Sequence, residues 1–365
     1  MPTRRPLRIL YLLSDGFGGH GGIATYNRDV LTALCADPDL TEVVALPRLV
    51  SRDMEPLPAK LRYEVSAALG MSAYLRALVA ALRQGPFDLV YCAHVNLAPL
   101  ARVAAWWSRA PWLLAIYGID AWKPSSRRSV DRAVRHANHI FSISQVTLDR
   151  FLGWSAYDRA RTSLMPNAIH LDQFGSGTRD PALERRYGLA KKRVLMTFGR
   201  MDASERYKGF DEVLDLLPAL DPDIVYLLAG DGNDRARLEA KAVELGVADR
   251  AIFAGYIEES EKAATYRLAD LYVMPSSGEG FGFVLIEALA CGTPALGSRI
   301  DGGREALLGG ELGILVDPTD RGALHDAIVH GLMQPRGVPP RLSYFAFPEF
   351  TRRLQALVHR VAERR

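Results

Sequence analysis

Cysteine is scarce in this chain of 365 residues, and the three cysteines are widely separated. Cys35, Cys92 and Cys291 are odd in number and form no Cys-x-x-Cys pair. Such a set provides neither a disulfide framework nor the ligand spacing of a zinc site. The cysteine content suits a reducing compartment, and we expect a cytoplasmic location.

Long hydrophobic runs are also missing. The apolar run of residues 7–13 ends at once in Ser14-Asp15-Gly16, so it predicts a buried strand rather than the core of a signal peptide. The longest apolar region, roughly residues 89–117, is broken by Arg102, Arg109 and two prolines. It therefore falls short of the ~20 uninterrupted apolar residues that span a bilayer. We expect neither a signal peptide nor a transmembrane helix.

A strong charge of one sign is absent as well, since the formal net charge is only +3. We expect no nucleic-acid partner. The charge is nevertheless uneven along the chain. Residues 1–180 contain 21 basic and 15 acidic residues, whereas residues 181–365 contain 24 basic and 27 acidic ones.

Part of the positive excess lies in residues 123–135, where five basic residues face only Asp131. The five are Lys123, Arg127, Arg128, Arg132 and Arg135. The arginines recur at about helical spacing, which predicts a basic helix face. Such a face is either simply solvated or attracted to anionic lipid headgroups or phosphate-bearing acceptors.

The chain is longer than one hydrophobic core supports, and its pattern is that of two α/β domains. Short β-rich apolar runs alternate with amphipathic stretches, as parallel sheets require. The predicted strands are residues 9–13, 43–46, 89–92, 112–116, 139–142, 163–165, 194–198, 224–229, 251–254, 271–274 and 295–297. The predicted helices include residues 23–36, 73–83, 210–217, 235–245, 283–290 and 350–365. A Gly, Ser and Pro cluster at residues 174–181 predicts the interdomain linker. Ligands of such sheets bind beyond the carboxyl ends of the strands.

The first glycine-rich loop, residues 16–21, formally matches the Gly-x-Gly-x-x-Gly dinucleotide fingerprint between a strand and a helix. A dinucleotide site would place an acidic residue at the end of the second strand, but Val44-Ala45-Leu46-Pro47-Arg48 stands there. The mismatch argues against an oxidoreductase. A diphosphate of another ligand can still approach the start of the following helix.

Two further loops combine glycine with charge. Gly199-Arg200 and Lys208-Gly209 place two cations at a strand end and a helix start, where they either neutralise a diphosphate or simply face solvent. The stretch from Glu279 to Glu287 contains Gly280 and Gly282, which leave backbone N–H groups accessible. Its two carboxylates suit the hydroxyls of a sugar, although a carboxylate near a helix start also complements the helix dipole.

These motifs occur in a fixed order: Arg200, Lys208-Gly209, Gly230-Asp231-Gly232, Gly255-Tyr256, Glu279-Gly280-Phe281-Gly282 with Glu287, Cys291-Gly292-Thr293-Pro294 and Gly302-Gly303-Arg304-Glu305. In order and spacing the set resembles the carboxyl half of retaining glycosyltransferases of family 4, densely so over roughly residues 160–330. Pro166-Asn167 is similar to the family's linker-proximal motif, with Ala168 and His170 replacing its usual Gly and Asp.

The resemblance implies the GT-B fold, with two Rossmann-like parallel-sheet domains facing a central cleft. An acceptor-binding domain would comprise residues 1–178, and a nucleotide-sugar-binding domain residues 179–345. A terminal helix, residues 346–365, would pack back on the first domain.

The implied activity is transfer of a hexose from a nucleotide-diphosphate sugar with retention of configuration. The leaving phosphate would accept the acceptor's proton, so neither a protein nucleophile nor a metal nor another cofactor is implied. Arg200 and Lys208 would stabilise the diphosphate, Glu279 the hexose and Glu287 the ribose. The implied donor-binding residues are Gly21, Gly22, Arg200, Lys208, Gly230, Gly255, Tyr256, Glu279, Gly280, Phe281, Gly282 and Glu287.

The first half departs from the family at Tyr117, where many relatives have a histidine near the donor sugar and acceptor. His94 and Asp120 also follow predicted strands and are alternative catalytic contacts, each with an equally good structural interpretation. The two Asp-x-Asp motifs, residues 37–39 and 221–223, precede strands and are interpreted as turns rather than metal ligands.

Two other functions fit the same motifs. A nucleotide-sugar epimerase of the same fold would convert the donor without an acceptor, and a non-catalytic subunit would only bind the sugar nucleotide. The sequence does not choose between UDP and GDP. The family and the basic segment suggest a saccharide or lipid-linked acceptor, used in lipopolysaccharide, other surface polysaccharide or glycolipid assembly by a peripheral protein at the inner face of the cell membrane.

Overall fold

A computed structural model describes residues 6–363 of the chain. Residues 1–5 and 364–365, which form the ends of the predicted first domain and terminal helix, lie outside the described residues. The strands are β1 Leu7–Leu13, β2 Leu40–Pro47, β3 Leu61–Tyr63, β4 Leu89–Cys92, β5 Trp112–Ile116, β6 His139–Ser142, β7 Thr162–Leu164, β8 Arg193–Phe198, β9 Ile224–Ala229, β10 Ala251–Gly255, β11 Leu271–Met274, β12 Ala295–Ser298 and β13 Ile314–Val316. The helices are α1 Gly22–Cys35, α2 Met71–Arg83, α3 Ala98–Ser108, α4 Arg128–Val134, α5 Gln145–Ser155, α6 Pro181–Arg186, α7 Phe210–Leu216, α8 Arg235–Glu244, α9 Glu259–Tyr266, α10 Phe283–Ala290, α11 Gly303–Ala306, α12 Arg321–Gly331 and α13 Phe347–Ala362.

The chain divides into two compact units. One contains the described residues up to Ala168 together with those from Phe347 onward, and the other is Ile169–Ala346. Residues 174–181, where the sequence predicts a linker, lie in the second unit. Each unit is built on its own parallel sheet.

The sheet of the first unit has the strand order β3-β2-β1-β4-β5-β6-β7, all parallel. Because crossovers between parallel strands are right-handed, the reversal of strand order beside β1 puts α1 on one face and α2 to α5 on the other. Both faces of the sheet are therefore covered. This accounts for the continuous apolar run of β1, in which Leu10 and Leu12 face the α2–α5 layer and all residues from Ile9 to Leu13 are buried.

Helix α13 packs against α1. The Gln355 amide donates to the Ala33 carbonyl at 2.8 Å, and His359 Nε2 lies 2.7 Å from Asp37 Oδ2. Asp37 Oδ1 also accepts from the Asp39 backbone N–H at 2.9 Å, which closes the turn between α1 and β2. The first Asp-x-Asp motif thus forms a turn, as predicted.

The sheet of the second unit has the order β10-β9-β8-β11-β12-β13, again all parallel. Its core is formed by Leu195, Tyr226, Leu228, Val273 and Leu296 of the strands together with the helices that cover them. The other Asp-x-Asp motif also lies in a turn, where Asp221 and Asp223 pair with Arg193.

The predicted strands and helices are confirmed with shifts of a few residues at their ends. Two short edge strands, β3 and β13, were not predicted. In β3 a charged residue, Arg62, interrupts the apolar pattern. The basic segment forms only the seven-residue helix α4, with Arg127 and Arg135 flanking it as caps. Among the described residues, no helix is both long and apolar enough to cross a bilayer.

Candidate functional site

The candidate site lies at the carboxyl edge of the second sheet, where the strand order reverses. The chain leaves β8 toward β9 on one side and later returns to β11 on the other side of β8. Loops that diverge in this way leave a crevice beyond the strand ends. Arg200 follows β8 and Glu279 follows β11, so the fold places both loops at this crevice.

The loops that contain Lys208 and Glu279 are joined to each other. The Ser277 backbone N–H donates to the Tyr207 carbonyl at 2.8 Å. A Cβ added to Gly278 would lie 2.9 Å from the Tyr207 ring, and one added to Gly209 would lie 2.8 Å from Pro275. The two loops can therefore approach this closely only with glycine at both positions. As a result Lys208 and Glu279 interact electrostatically.

Arg200 and Lys208 converge on a residue that the sequence did not indicate, Glu205. Lys208 Nζ lies 2.8 Å from Glu205 Oε2, and the Arg200 guanidinium donates to both oxygens of the same carboxylate. Burial acts to raise the pKa of Glu205, but the hydrogen bonds from Arg200 and Lys208 outweigh it, so that this pKa is lowered. Two cations thus share one carboxylate where a diphosphate was predicted.

Glu279 is half-buried at the start of the glycine-rich turn. Its Oε1 accepts from the Gly280 backbone N–H at 3.1 Å. Burial raises the pKa of Glu279, whereas Lys208 and the Gly280 and Phe281 amides act to lower it. A carboxylate beside a lysine and two amides can accept hydrogen bonds from ligand hydroxyls.

The backbone of Glu279 is fixed by Asp301, a buried residue that the sequence did not single out. Asp301 Oδ2 accepts from the Ser276 hydroxyl at 2.7 Å and from the Glu279 N–H at 2.8 Å, while Oδ1 accepts from the Gly303 N–H at 2.9 Å. Burial raises the pKa of Asp301 to about 6. In the sequence Asp301 is distinguished only by its place before Gly302-Gly303, a pattern that indicates a role for the glycines rather than for the carboxylate.

Asp301→Asn is expected to lower kcat/KM for the donor about ten-fold. The side-chain amide can accept one backbone N–H but presents an NH2 group to the other, and a lost hydrogen bond of this kind costs about 1–3 kcal/mol. Steady-state kinetics at pH 7.5 measure the change. Asp317→Asn is the matched control, because Asp317 also accepts turn hydrogen bonds after a strand of this sheet, from Thr319. Equal activity of both variants would contradict the positioning role of Asp301.

Glu287 is buried in α10, and both of its oxygens have partners. Lys262 Nζ lies 2.7 Å from Oε1, and the Tyr266 hydroxyl donates to Oε2 at 2.7 Å. The sequence had indicated neither partner, because both come from α9, a helix distant in sequence. A ribose hydroxyl at Glu287 would use the remaining lone pairs of the carboxylate.

The other donor-binding residues predicted in the second unit are of two kinds, those that present their backbone and those that present their side chain. A Cβ on Gly230 would lie 2.0 Å from the Gly199 carbonyl oxygen, so the loops after β8 and β9 touch through their backbones. The Gly230 N–H donates to the Gly255 carbonyl at 2.8 Å, and Tyr256 is exposed. Phe281 is 1% exposed and packs on Phe345, which leaves its backbone as the part available to a ligand.

In the first unit, Gly21 and Gly22 are exposed where α1 begins. His94 Nδ1 accepts from the Asn96 N–H at 3.1 Å, so the proton of the neutral ring lies on Nε2, and burial lowers the pKa of His94. Gly21 and Gly22 follow β1, and His94 follows β4. These predicted site residues therefore lie at the reversal of strand order in this sheet too.

Tyr117 is a core residue. Its hydroxyl donates to Asn27 Oδ1 at 3.1 Å, and its ring stacks edge-on against Tyr26, with only 5% of the residue exposed. Asp120 differs, because its Oδ2 is buried with no hydrogen-bond partner among the described residues. Burial raises the pKa of Asp120 to about 7, although backbone groups including Gly118 act in the opposite direction.

Two family descriptions match the chain. Residues 182–336 match "Glycosyl transferases group 1", and residues 21–168 match "Glycosyl transferase 4-like domain". A phosphatidyl-myo-inositol mannosyltransferase of Mycobacterium leprae is 31% identical over 301 residues, which is 80% of this chain and 76% of the relative. A GDP-mannose-dependent alpha-(1-6)-phosphatidylinositol monomannoside mannosyltransferase of Mycolicibacterium smegmatis is 32% identical over 225 residues, which is 58% of each chain.

A solved structure of Anabaena Alr3699/HepE in complex with UDP and glucose superposes with a TM-score of 0.75 at 18% identity, covering 97% of this chain and all of that one. The lipopolysaccharide outer core galactosyltransferase WaaB gives 0.74 at 17% identity, over 97% of this chain and 99% of that one. With two parallel α/β sheets, these likenesses define the GT-B fold. The chain belongs to the group 1, family 4-like glycosyltransferases.

Proposed function

We propose that the protein transfers a hexose from a nucleotide-diphosphate sugar to a lipid-linked or saccharide acceptor with retention of configuration. The observation that carries this proposal is the convergence of Arg200, Lys208 and Glu279 at the reversal of strand order in the second sheet. The two cations can neutralise the negative charge of a diphosphate. The carboxylate can accept hydrogen bonds from the hydroxyls of a sugar. Nucleotide-sugar recognition uses both chemistries side by side.

In the proposed mechanism the protein positions the donor and stabilises charge. As the glycosidic bond to phosphate breaks, negative charge grows on the diphosphate, and Arg200 and Lys208 stabilise it. Glu279 and the amides of the 280–282 turn hold the hexose hydroxyls, and Glu287 holds the ribose. The departing phosphate oxygen takes the proton of the acceptor hydroxyl on the same face, so the scheme uses neither a protein nucleophile nor a metal.

The relatives favour mannose and an inositol lipid among the possible substrates. The two mycobacterial relatives are named for mannosyl transfer to phosphatidylinositol-type acceptors, and one of them for GDP-mannose. The HepE complex contains UDP and glucose, so UDP-glucose is the second donor to test. We propose a role in glycolipid or surface-polysaccharide assembly for the same reason.

Asp120 is the proposed contact to the acceptor hydroxyl, and His94, which follows the adjacent strand β4, is a second donor through Nε2–H. Since the pKa of Asp120 is raised to about 7, its carboxylate is charged above that pH and protonated below it. We expect kcat/KM to rise with pH and to level off above about pH 7. Asp120→Asn should remove this step and lower the plateau about ten-fold, whereas the exposed control Asp53→Asn should retain the wild-type profile.

The function is tested by incubating GDP-mannose or UDP-glucose with and without phosphatidylinositol vesicles. Transfer predicts nucleoside diphosphate release and labelled lipid only when an acceptor is present. Conversion of the donor sugar without acceptor would instead identify an epimerase, and binding without any turnover would identify a non-catalytic subunit.

A further inference from the structure

The solvent side of three helices in the first unit is unusually apolar. On α2, the exposed residues Met71, Leu75 and Val79 are four positions apart and so form one stripe. On α3, Val103, Trp106 and Trp107 are exposed by 54%, 78% and 57%. We call the solvent side of α2, α3 and α4 the α2–α4 face.

The three helices are neighbours, so their exposed residues form one surface. Helices α2 and α3 contact each other, as do α3 and α4, and all three cover the same side of the first sheet. Soluble monomers rarely expose contiguous apolar patches of this kind unless the patch has a binding role. The α2–α4 face therefore requires an occupant.

The charge of this face is almost entirely positive. No acidic residue occurs in residues 65–87 or 89–119. Helix α4 contains one, the half-buried Asp131, which accepts from the Ser125 backbone N–H at 2.9 Å. The exposed cationic side chains on or beside the three helices are Arg76, Arg83, Arg102, Arg109, Arg127, Arg128, Arg132 and Arg135. None of these arginines forms an ion pair with a carboxylate of the described residues. The positive charge of these arginines is therefore available to an anionic binding partner.

The end of α3 adds an aromatic groove of about 520 Å³ at the amino edge of the sheet, opposite to the edge that bears His94 and Asp120. Its walls include Arg102, Trp106, Trp107, Arg109 and His136, with Trp112 buried behind them. Exposed tryptophan beside arginine is the combination found where proteins enter the headgroup region of a bilayer, since both side chains have an apolar body and a polar tip.

We propose that the α2–α4 face docks on an anionic phospholipid bilayer, with Trp106 and Trp107 inserted among the headgroups and the arginines of α3 and α4 on the lipid phosphates. The apolar stripe of α2 extends the inserted area. This proposal deepens the lipid-linked acceptor of the proposed function, because it would hold the protein at the surface where such an acceptor resides. The binding experiment contains no nucleotide sugar, so its failure would leave the transfer reaction untouched.

The test is co-sedimentation with vesicles of phosphatidylcholine alone or with phosphatidylglycerol. Wild type should bind the anionic vesicles, and binding should weaken strongly at high salt because surface charges are screened. Trp106→Ser/Trp107→Ser and Arg128→Gln/Arg132→Gln/Arg135→Gln should each lower binding by about ten-fold or more. Quenching of wild-type tryptophan fluorescence by brominated lipid provides a reading that needs no variant.

The matched controls lie in the second unit. Val243→Ser/Met333→Ser removes two equally exposed apolar residues, and Arg185→Gln/Arg299→Gln/Arg341→Gln removes three exposed arginines. Both should bind vesicles as wild type does. The proposal is overturned if wild type ignores anionic vesicles, if the controls lose as much binding as the test variants, or if light scattering shows a dimer that Trp106→Ser/Trp107→Ser abolishes.

Discussion

Lys208→Ala is expected to lower kcat/KM for the nucleotide sugar by about 10²- to 10³-fold, the range found when a single group that stabilises developing negative charge is removed. Lys208 Nζ lies 2.8 Å from Glu205 Oε2. Without the lysine, the Glu205 carboxylate keeps only Arg200 as a partner and repels the diphosphate. The variant therefore loses the attraction between Lys208 and the diphosphate, and the repulsion between Glu205 and the diphosphate is no longer offset.

A second substitution at Glu205 is expected to restore part of the activity. Lys208→Ala/Glu205→Gln should recover roughly ten-fold of the lost activity, since the repelling carboxylate is gone. Lys192→Ala is the control, because Lys192 precedes the same strand, β8, at the opposite edge of the sheet. Its activity should match that of wild type. If the Glu205→Gln change worsened the lysine variant, the carboxylate would have to act on the donor directly.

Glu279→Ala is expected to lower kcat/KM by about 10²-fold, through loss of hydrogen bonds from the hexose to a charged acceptor, each worth roughly 1.5–3 kcal/mol. Glu279→Gln should lose less, because its amide oxygen still accepts. Asp301 fixes the backbone at this position through a 2.8 Å hydrogen bond, so removing the side chain should leave the loop in place.

Calorimetry separates the roles of the two residues. Glu279→Ala should bind the bare nucleoside diphosphate as tightly as wild type, but its affinity should not increase when the sugar is attached. Lys208→Ala should bind both the nucleoside diphosphate and the nucleotide sugar more weakly than wild type. The exposed control Glu244→Gln should bind both normally. Equal weakening of the two ligands by Glu279→Ala would show that this carboxylate does not contact the hexose.

Much of this fold could be predicted because a buried parallel strand has a recognisable local sequence. Buried on both faces, a strand such as residues 224–229 is apolar throughout and is bounded by turn residues, so its place is visible without tertiary information. The positions of Arg200 and Glu279 follow, since a residue just after a parallel strand lies at the carboxyl edge of the sheet. The short strand β3 gives no such signal, because Arg62 interrupts its apolar residues.

The partners within the site could not be predicted, because they depend on contacts between distant segments. Glu205 shares a loop with Lys208, but nothing in its sequence context indicates that two cations fold onto it. Asp301 is separated from Glu279 by 22 positions and Lys262 from Glu287 by 25, and hydrogen bonds over such separations leave no periodic trace. Tyr117 likewise lies in a buried tyrosine cluster that only the packing of α1 against the sheet reveals.

That the carboxyl edge of the second sheet binds the donor diphosphate is tested by isothermal titration of UDP and GDP into wild type, Lys208→Ala and Lys192→Ala. We predict binding of at least one nucleotide at one site per chain, weakened at least ten-fold by Lys208→Ala and unchanged by Lys192→Ala. Binding of neither nucleotide to wild type, or equal affinity in all three proteins, would contradict it.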